Sequence, residues 1–255
     1  MRIKEPLGYC MKTNNVQKVL PVIYLPLTLV ILLLDHLYAG ADPVNFLKYS
    51  VMLTLCFTAL FIKKETHEQK WMAASFLFIV FADFFLVFGA DPTNHINLYS
   101  YDLNRVPFGP IGFLLAYLCL IAAYQKNFKL GKAEVITAII ITCICACVLV
   151  SLLPYLNGML LIGILIFGIV LGYMVWSAIC TIFRGYYKKS LAYIIALSAS
   201  LMFICDLGVA FSNIYPACAG QFVPWMQNII WGSYIPGWML LVFIISDESH
   251  SRHRA

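Results

Sequence analysis

The chain consists largely of long apolar runs separated by short polar segments. A helix that spans the hydrocarbon core of a bilayer needs about 20 predominantly apolar residues. Eight runs fit this length, and we place them at residues 18–38, 44–62, 71–90, 107–124, 133–153, 159–183, 190–214 and 224–246. Because backbone amides in lipid must find partners within their own segment, each run is predicted to be helical. The pattern therefore predicts an all-α transmembrane bundle of eight helices.

Composition supports a membrane environment and excludes most soluble classes. The 255 residues are 62% hydrophobic and only 11% charged, whereas a soluble domain carries about 25% charged residues. This excludes ordinary soluble enzymes, coiled coils and nucleic-acid-binding proteins. We expect a multi-pass integral membrane protein whose partner is membrane lipid, located in the cell membrane if the source is bacterial.

The cations indicate the orientation of the bundle. The eight spans place all of the 17 Lys and Arg residues on one side of the membrane except Lys48 and Arg105. Cytoplasmic loops are enriched in Lys and Arg. We therefore expect both termini in the cytoplasm, with residues 1–17 and 247–255 as terminal segments around a transmembrane domain at 18–246.

The first span has an alternative interpretation. Residues 38–41 follow a basic start and an apolar run, and their sequence Tyr-Ala-Gly-Ala is similar to a signal-peptidase site. Cleavage there would leave seven helices and would remove Asp35. We favour an uncleaved first helix because the apolar run is long for a signal peptide.

Similar sequence frames occur in the two halves of the chain. Val-Pro-Phe at 106–108 precedes Tyr117 as Val-Pro-Trp at 223–225 precedes Tyr234. One span earlier in each half, an Asp lies within an apolar frame. These matches suggest a parallel four-plus-four repeat, as in many transporters; chance matching in apolar sequence is the alternative.

Two carboxyl groups inside apolar runs are the sharpest chemical signal. Asp83 and Asp206 each have at least six uncharged residues on both sides, and placing Asp at a helix centre costs about 2.5–3.5 kcal/mol on insertion scales. Both lie past the midpoint of their spans, toward the predicted outer face. We predict that they are catalytic; the alternative is that they only hold neighbouring helices together.

Other polar residues lie at a similar predicted depth, and they could face the two carboxyls. We predict that five of them contribute to substrate binding: Asp35, Tyr117, Asn228, Ser233 and Tyr234.

The sequence does not support metal chemistry or a nucleophilic side chain. No two His residues occur four apart within a span, Gly-x-Ser-x-Gly is missing, and the nine Cys residues are scattered. We therefore expect no metal and no cofactor.

The third and seventh spans resemble the YhhN family of membrane proteins, which includes the lysoplasmalogenases. The third span reads Phe-Leu-Phe-Ile-Val-Phe-Ala-Asp-Phe-Phe-Leu-Val at 76–87, and the seventh reads Leu-Met-Phe-Ile-Cys-Asp-Leu-Gly-Val-Ala at 201–210. Family members typically have Gly-Asp in the third helix and Ser-Asp in the seventh. Here Ala82 and Cys205 precede the two Asp residues, and the fourth span has Tyr117 and Tyr124 but no His.

The resemblance implies hydrolysis of the vinyl ether bond of a lysoplasmalogen to a fatty aldehyde and a glycerophospho-alcohol. A vinyl ether is activated by protonation at carbon, which leaves an oxocarbenium ion that water attacks. Such a reaction needs a proton donor and a carboxylate, and neighbouring carboxyls can divide these roles. We expect Asp83 and Asp206 to do so. The alternatives are a proton-coupled transporter of lipid or small solute, or a non-catalytic membrane protein.

Overall fold

A computed structural model describes residues 13–38, 41–88, 108–219 and 223–247. The described residues form eight α-helices and one short 3-10 turn, which confirms the predicted all-α bundle. The helices are α1 (Thr13–Leu37), α2 (Asp42–Phe61), α3 (His67–Phe88), α4 (Phe108–Tyr124), α5 (Lys132–Leu152), α6 (Gly158–Arg184), α7 (Lys189–Ile214) and α8 (Pro224–Ile245). Residues 1–12 and 248–255 of the predicted terminal segments lie outside the described residues.

The helix ends differ by a few residues from the predicted spans. The largest differences are at the start of α1, at Thr13 instead of 18, and at the start of α3, at His67 instead of 71. Both helices extend through polar residues, because an apolar run marks the hydrocarbon layer and not the limits of backbone hydrogen bonding.

Single residues mark two of the helix ends. Pro224 begins α8, where its missing N–H costs nothing. Gly185 follows α6 with φ 65°, a left-handed conformation that glycine adopts without strain.

The helices suit a membrane in length and in surface. Seven of them are long and apolar enough to cross a bilayer, and the 17 residues of α4 extend about 25 Å, near the short end of the spanning range. Many large apolar side chains point outward, and Val22, Leu29, Val150 and Ile169 are each at least 68% exposed. Soluble monomers rarely expose apolar surface so extensively. The outward faces are therefore suited to contact with lipid.

Packing places α8 at the centre of the bundle and α5 at its edge. α8 contacts α1, α2, α3 and α7, whereas α5 packs mainly against α6. The most extensive helix pairs are α3 with α4 and α7 with α8. These four helices enclose the apolar core that surrounds the two intramembrane Asp residues.

Helix contacts in the two halves correspond to each other. The pair α3–α4 matches α7–α8, the pair α2–α3 matches α6–α7, and the contact of α2 with α8 matches that of α6 with α4. The outermost helices break the correspondence, since α1 packs along α8 whereas α5 makes no comparable contact with α4 among the described residues. The corresponding contacts support the predicted four-plus-four repeat.

Ion pairs and a hydrogen bond link the helix ends at the predicted cytoplasmic face. Arg184 Nε lies 2.8 Å from Glu134 Oε1, which joins the end of α6 to the start of α5. Lys126 Nζ lies 2.9 Å from Glu68 Oε1 at the start of α3. The side-chain amide of Gln69 donates to the carbonyl of Ile245 at the end of α8, at 2.9 Å. These interactions link α5 to α6 and α3 to α8 at the end of the bundle opposite the two Asp residues.

We predict that Gly112→Ala destabilises the bundle. A Cβ at this position in α4 would lie 2.8 Å from the Cβ of Ala82 and 2.9 Å from the carbonyl oxygen of Phe78, so α3 and α4 would have to move apart. Overpacking of this kind costs about 1–3 kcal/mol. The measurement is thermal unfolding of the purified protein in detergent. Gly163→Ala in α6 is the matched control, because a Cβ there meets no atom within 4 Å; equal melting temperatures for the two variants would contradict the prediction.

Candidate functional site

The two intramembrane carboxyl groups meet inside the bundle. Asp83 on α3 is 4% exposed and Asp206 on α7 is 9% exposed. The tyrosines that bond to them, Tyr234 and Tyr117, both pack against the ring of Phe113. The structure thus brings together residues that are 123 positions apart in the sequence (206 minus 83).

Each carboxyl accepts a hydrogen bond from a tyrosine in the other half of the chain. The hydroxyl of Tyr234 on α8 lies 2.8 Å from both Oδ1 and Oδ2 of Asp83. The hydroxyl of Tyr117 on α4 donates to Oδ2 of Asp206. In both bonds the Asp lies on the third helix of one half and the tyrosine lies on the fourth helix of the other half. The site is therefore built equally from both halves.

Aromatic rings surround the two tyrosines. Phe113 lies between them, with its ring centre 6.2 Å from that of Tyr117 and 6.1 Å from that of Tyr234. Phe167 covers Tyr117 from α6 at 5.9 Å, and Trp238 lies 6.2 Å from Tyr234. Rings at these separations pack favourably. The hydroxyl–carboxyl bonds thus lie in a largely apolar environment, where they are stronger than in water.

The small residue before each Asp has a structural role. Ala82 is completely buried and lies against Gly112, so a larger side chain would push α4 away from Asp83. Cys205 is buried on α7. Ala and Cys, in place of the Gly and Ser typical of the family, therefore fit the close packing of these helices.

The other predicted binding residues do not bond to the carboxyls. Ser233 donates to the carbonyl of Ile229 at 2.6 Å, one turn earlier on α8. Oδ1 of Asn228 is buried without a hydrogen-bond partner among the described residues. Asp35 is completely buried, and its Oδ1 lies 2.7 Å from Nζ of Lys48. Only Tyr117 and Tyr234, of the five residues predicted to bind substrate, contact Asp83 or Asp206.

Sequence analysis missed the role of Lys48. It was counted only as a cation outside the membrane, although it lies within the predicted span 44–62. Its side chain is 4% exposed and its ammonium group lies 4.7 Å from the centre of the Trp231 ring. A signal was available: Asp35 and Lys48 have opposite charges at similar depths on two helices joined by a short turn.

An apolar groove of about 380 Å³ runs between α7 and α8 on the outer surface of the bundle. Ile204, Leu207 and Phe211 line it from α7, at the spacing of one helix face. Asp206 lies on the opposite face of α7, toward Tyr117. The groove can hold a lipid chain against the bundle, but it does not open toward the carboxyl pair.

The chemistry available at the site is proton transfer. No group of three or more His, Cys, Asp or Glu side chains that could hold a metal ion occurs in the part of the chain that the structure describes. Two neighbouring carboxylates in a low-dielectric core repel each other, so one proton between them lowers the free energy of the pair. A pair that shares one proton would supply an acid and a base at one place.

The fold and the site define a polytopic helical membrane protein with a carboxyl pair inside the bundle. Within this class the chain belongs to the YhhN family, whose sequence model matches residues 45–245. This match confirms the predicted resemblance and covers α3 to α8 together with all but the first three residues of α2. No curated protein and no solved structure matches the chain.

We predict that Tyr117→Phe and Tyr234→Phe each destabilise the protein. Either change leaves a buried carboxyl without its hydrogen-bond donor, which costs about 1–3 kcal/mol. Thermal unfolding in detergent measures the effect. Tyr193→Phe is the matched control, since Tyr193 is 53% exposed on α7. A melting temperature that is unchanged in both site variants would show that the hydroxyls do not hold the carboxyls.

Proposed function

We propose that the protein is a membrane hydrolase that cleaves the vinyl ether bond of lysoplasmalogen-type lysophospholipids. The observation that carries the proposal is the crossed pair of Asp–Tyr hydrogen bonds in the bundle interior. Vinyl ether hydrolysis needs an acid and a carboxylate at one place and needs no nucleophilic side chain. Membership in the YhhN family, which includes lysoplasmalogenases, supports the same reaction.

The hydrogen bonds suggest how the two carboxyls divide the work. The single hydroxyl proton of Tyr234 is shared between the two oxygens of Asp83, an arrangement that favours its carboxylate form. Asp206 accepts from Tyr117 through Oδ2 alone, so Oδ1 is available to carry a proton among the described contacts. We therefore assign Asp206 as the general acid and Asp83 as the carboxylate that stabilises the cation and activates water.

The proposed reaction consumes one water and returns both carboxyls to their starting states. Asp206 transfers its proton to the vinyl carbon remote from oxygen, and the carbon attached to oxygen becomes part of an oxocarbenium ion. Asp83 takes a proton from water as the water oxygen adds to that carbon. The resulting hemiacetal returns its hydroxyl proton to Asp206 while its bond to the glycerol oxygen breaks. Asp83 gives its proton to the glycerol oxygen, and the aldehyde leaves.

A second candidate function is proton-coupled transport of a lipid or small solute. The specific observation in its favour is that similar halves of the chain meet at the acid pair, as repeats meet at the substrate sites of many transporters. Transport requires solute flux across proteoliposomes that depends on a proton gradient. Hydrolysis requires aldehyde release without any gradient.

We predict that Asp83→Asn and Asp206→Asn each lower kcat for aldehyde release from a lysoplasmalogen by about 10²–10⁴-fold, the usual contribution of general acid–base catalysis. The assay uses the purified protein in detergent or nanodiscs. In ¹⁸O-labelled water the released glycerophospho-alcohol should contain no label, because the proposed reaction breaks the bond between the vinyl carbon and the glycerol oxygen.

Glu65→Gln is the control, because Glu65 is an exposed acid between α2 and α3, away from the carboxyl pair. This variant should keep the wild-type rate. Wild-type turnover in both Asn variants would contradict the proposal. Gradient-dependent flux with no aldehyde release would favour transport instead.

A further inference from the structure

A second polar cluster lies next to the carboxyl pair and consists of Asp35 on α1, Lys48 on α2 and Trp231 on α8. Nζ of Lys48 lies 2.7 Å from Oδ1 of Asp35 and 4.7 Å from the centre of the Trp231 ring. The Asp35 side chain is completely buried and that of Lys48 nearly so. A buried ion pair often adds no stability relative to apolar residues. Because ionisable residues are costly within membrane spans, those that occur there are usually functional.

The cluster is in contact with the site through aromatic rings. The ring of Trp231 lies edge-on to that of Tyr234, with 5.5 Å between their centres. Tyr234 in turn donates to Asp83. A ligand that reached both Lys48 and Asp83 would thus extend past two neighbouring rings on α8.

The ion pair leaves hydrogen-bonding capacity unused. A lysine ammonium has three N–H donors, and Lys48 directs one to Asp35 and faces the Trp231 ring. Oδ2 of Asp35 is buried and has no hydrogen-bond partner among the described residues. Among the described residues, the cluster therefore presents a positively charged donor beside a negatively charged acceptor, each with hydrogen-bonding capacity that is not used.

We propose that Asp35, Lys48 and Trp231 form a head-group site for a single-chain zwitterionic phospholipid. Lys48 binds the phosphate, and Oδ2 of Asp35 accepts an N–H from the head-group ammonium. This inference rests on the proposed function, in which the phosphate-bearing glycerol is the leaving group. It adds the class of head group that the protein selects.

Charge balance determines which head groups fit. The Asp35–Lys48 pair is neutral, and a zwitterionic head group keeps the buried cluster neutral. An anionic phosphoglycerol head group would add an uncompensated charge in a low-dielectric region. A phosphocholine head group is zwitterionic, but its trimethylammonium has no N–H to donate to Asp35. A phosphoethanolamine head group meets both requirements.

The cluster lies near the predicted outer ends of its helices. Asp35 is two residues from the end of α1, and Lys48 is within the first two turns of α2. α1 packs along α8 but contacts α2 over only a short stretch. The seam between α1 and α2 is therefore the route that we assign to a head group at the level of the outer leaflet.

The test compares substrates that share one alkenyl chain and differ in head group: phosphoethanolamine, phosphocholine, phosphoglycerol, and a 1-alkenylglycerol without phosphate. In the double variant Asp35→Asn/Lys48→Gln the buried pair is neutral and keeps nearly the same shape. The wild type should prefer phosphoethanolamine over the 1-alkenylglycerol in kcat/KM. This preference should fall at least about tenfold in the double variant, mainly through KM, because charge-assisted hydrogen bonds are lost.

The matched control is Lys63→Gln/Glu65→Gln, which changes an exposed ion pair between α2 and α3. This control should keep the wild-type order of head groups. A double variant of the buried pair that loses activity equally on all four substrates has only a structural defect, and that result would overturn the proposal. The same conclusion follows if the wild type shows no preference among head groups.

A binding measurement keeps the head-group site testable apart from catalysis. The probe is a single-chain alkyl-ether phosphoethanolamine, which has no vinyl bond to cleave. It should raise the melting temperature of the wild type more than the phosphocholine analogue does, and the double variant should lose this difference. Selective binding without turnover would reject hydrolysis and retain the head-group site. Equal shifts by both analogues would reject the head-group site.

Discussion

Two carboxyl groups are stable inside a hydrocarbon layer only where the surrounding helices donate hydrogen bonds to them. The bundle is organised around this constraint. Tyr117 and Tyr234 are the donors, and each reaches the carboxyl of the other half of the chain. The two bonds link α4 to α7 and α8 to α3. They therefore join the two halves of the chain at the site.

Small residues near the site allow the paired helices of each half to pack closely. Gly112 lets α4 approach Ala82 on α3, the residue before Asp83. In the second half, Gly237 lies close to the backbone of Ser198, which donates to its carbonyl at 2.7 Å. In a bilayer, close backbone contact of this kind takes the place of the hydrophobic effect in holding helices together.

Sequence alone located most of the helices and both carboxyls, because each of these signals is local. An apolar run of sufficient length is helical in lipid whatever its neighbours are, and an Asp within such a run stands out because charge is scarce there. Asn228 and Ser233 show the limit of this reasoning. Both lie at the predicted depth of the two acids, but Ser233 bonds to its own helix, because depth does not specify which way a side chain points.

The amino-acid sequence by itself determined the number of helices, the approximate ends of their apolar cores and the presence of two acids within them. Only the tertiary structure decided which groups meet: Tyr234 with Asp83, Tyr117 with Asp206, and Lys48 with Asp35. The physical reason is the range of the interactions. Hydrophobicity and backbone hydrogen bonding act within a segment, whereas a contact between side chains depends on the rotation and packing of two helices that can be far apart in sequence.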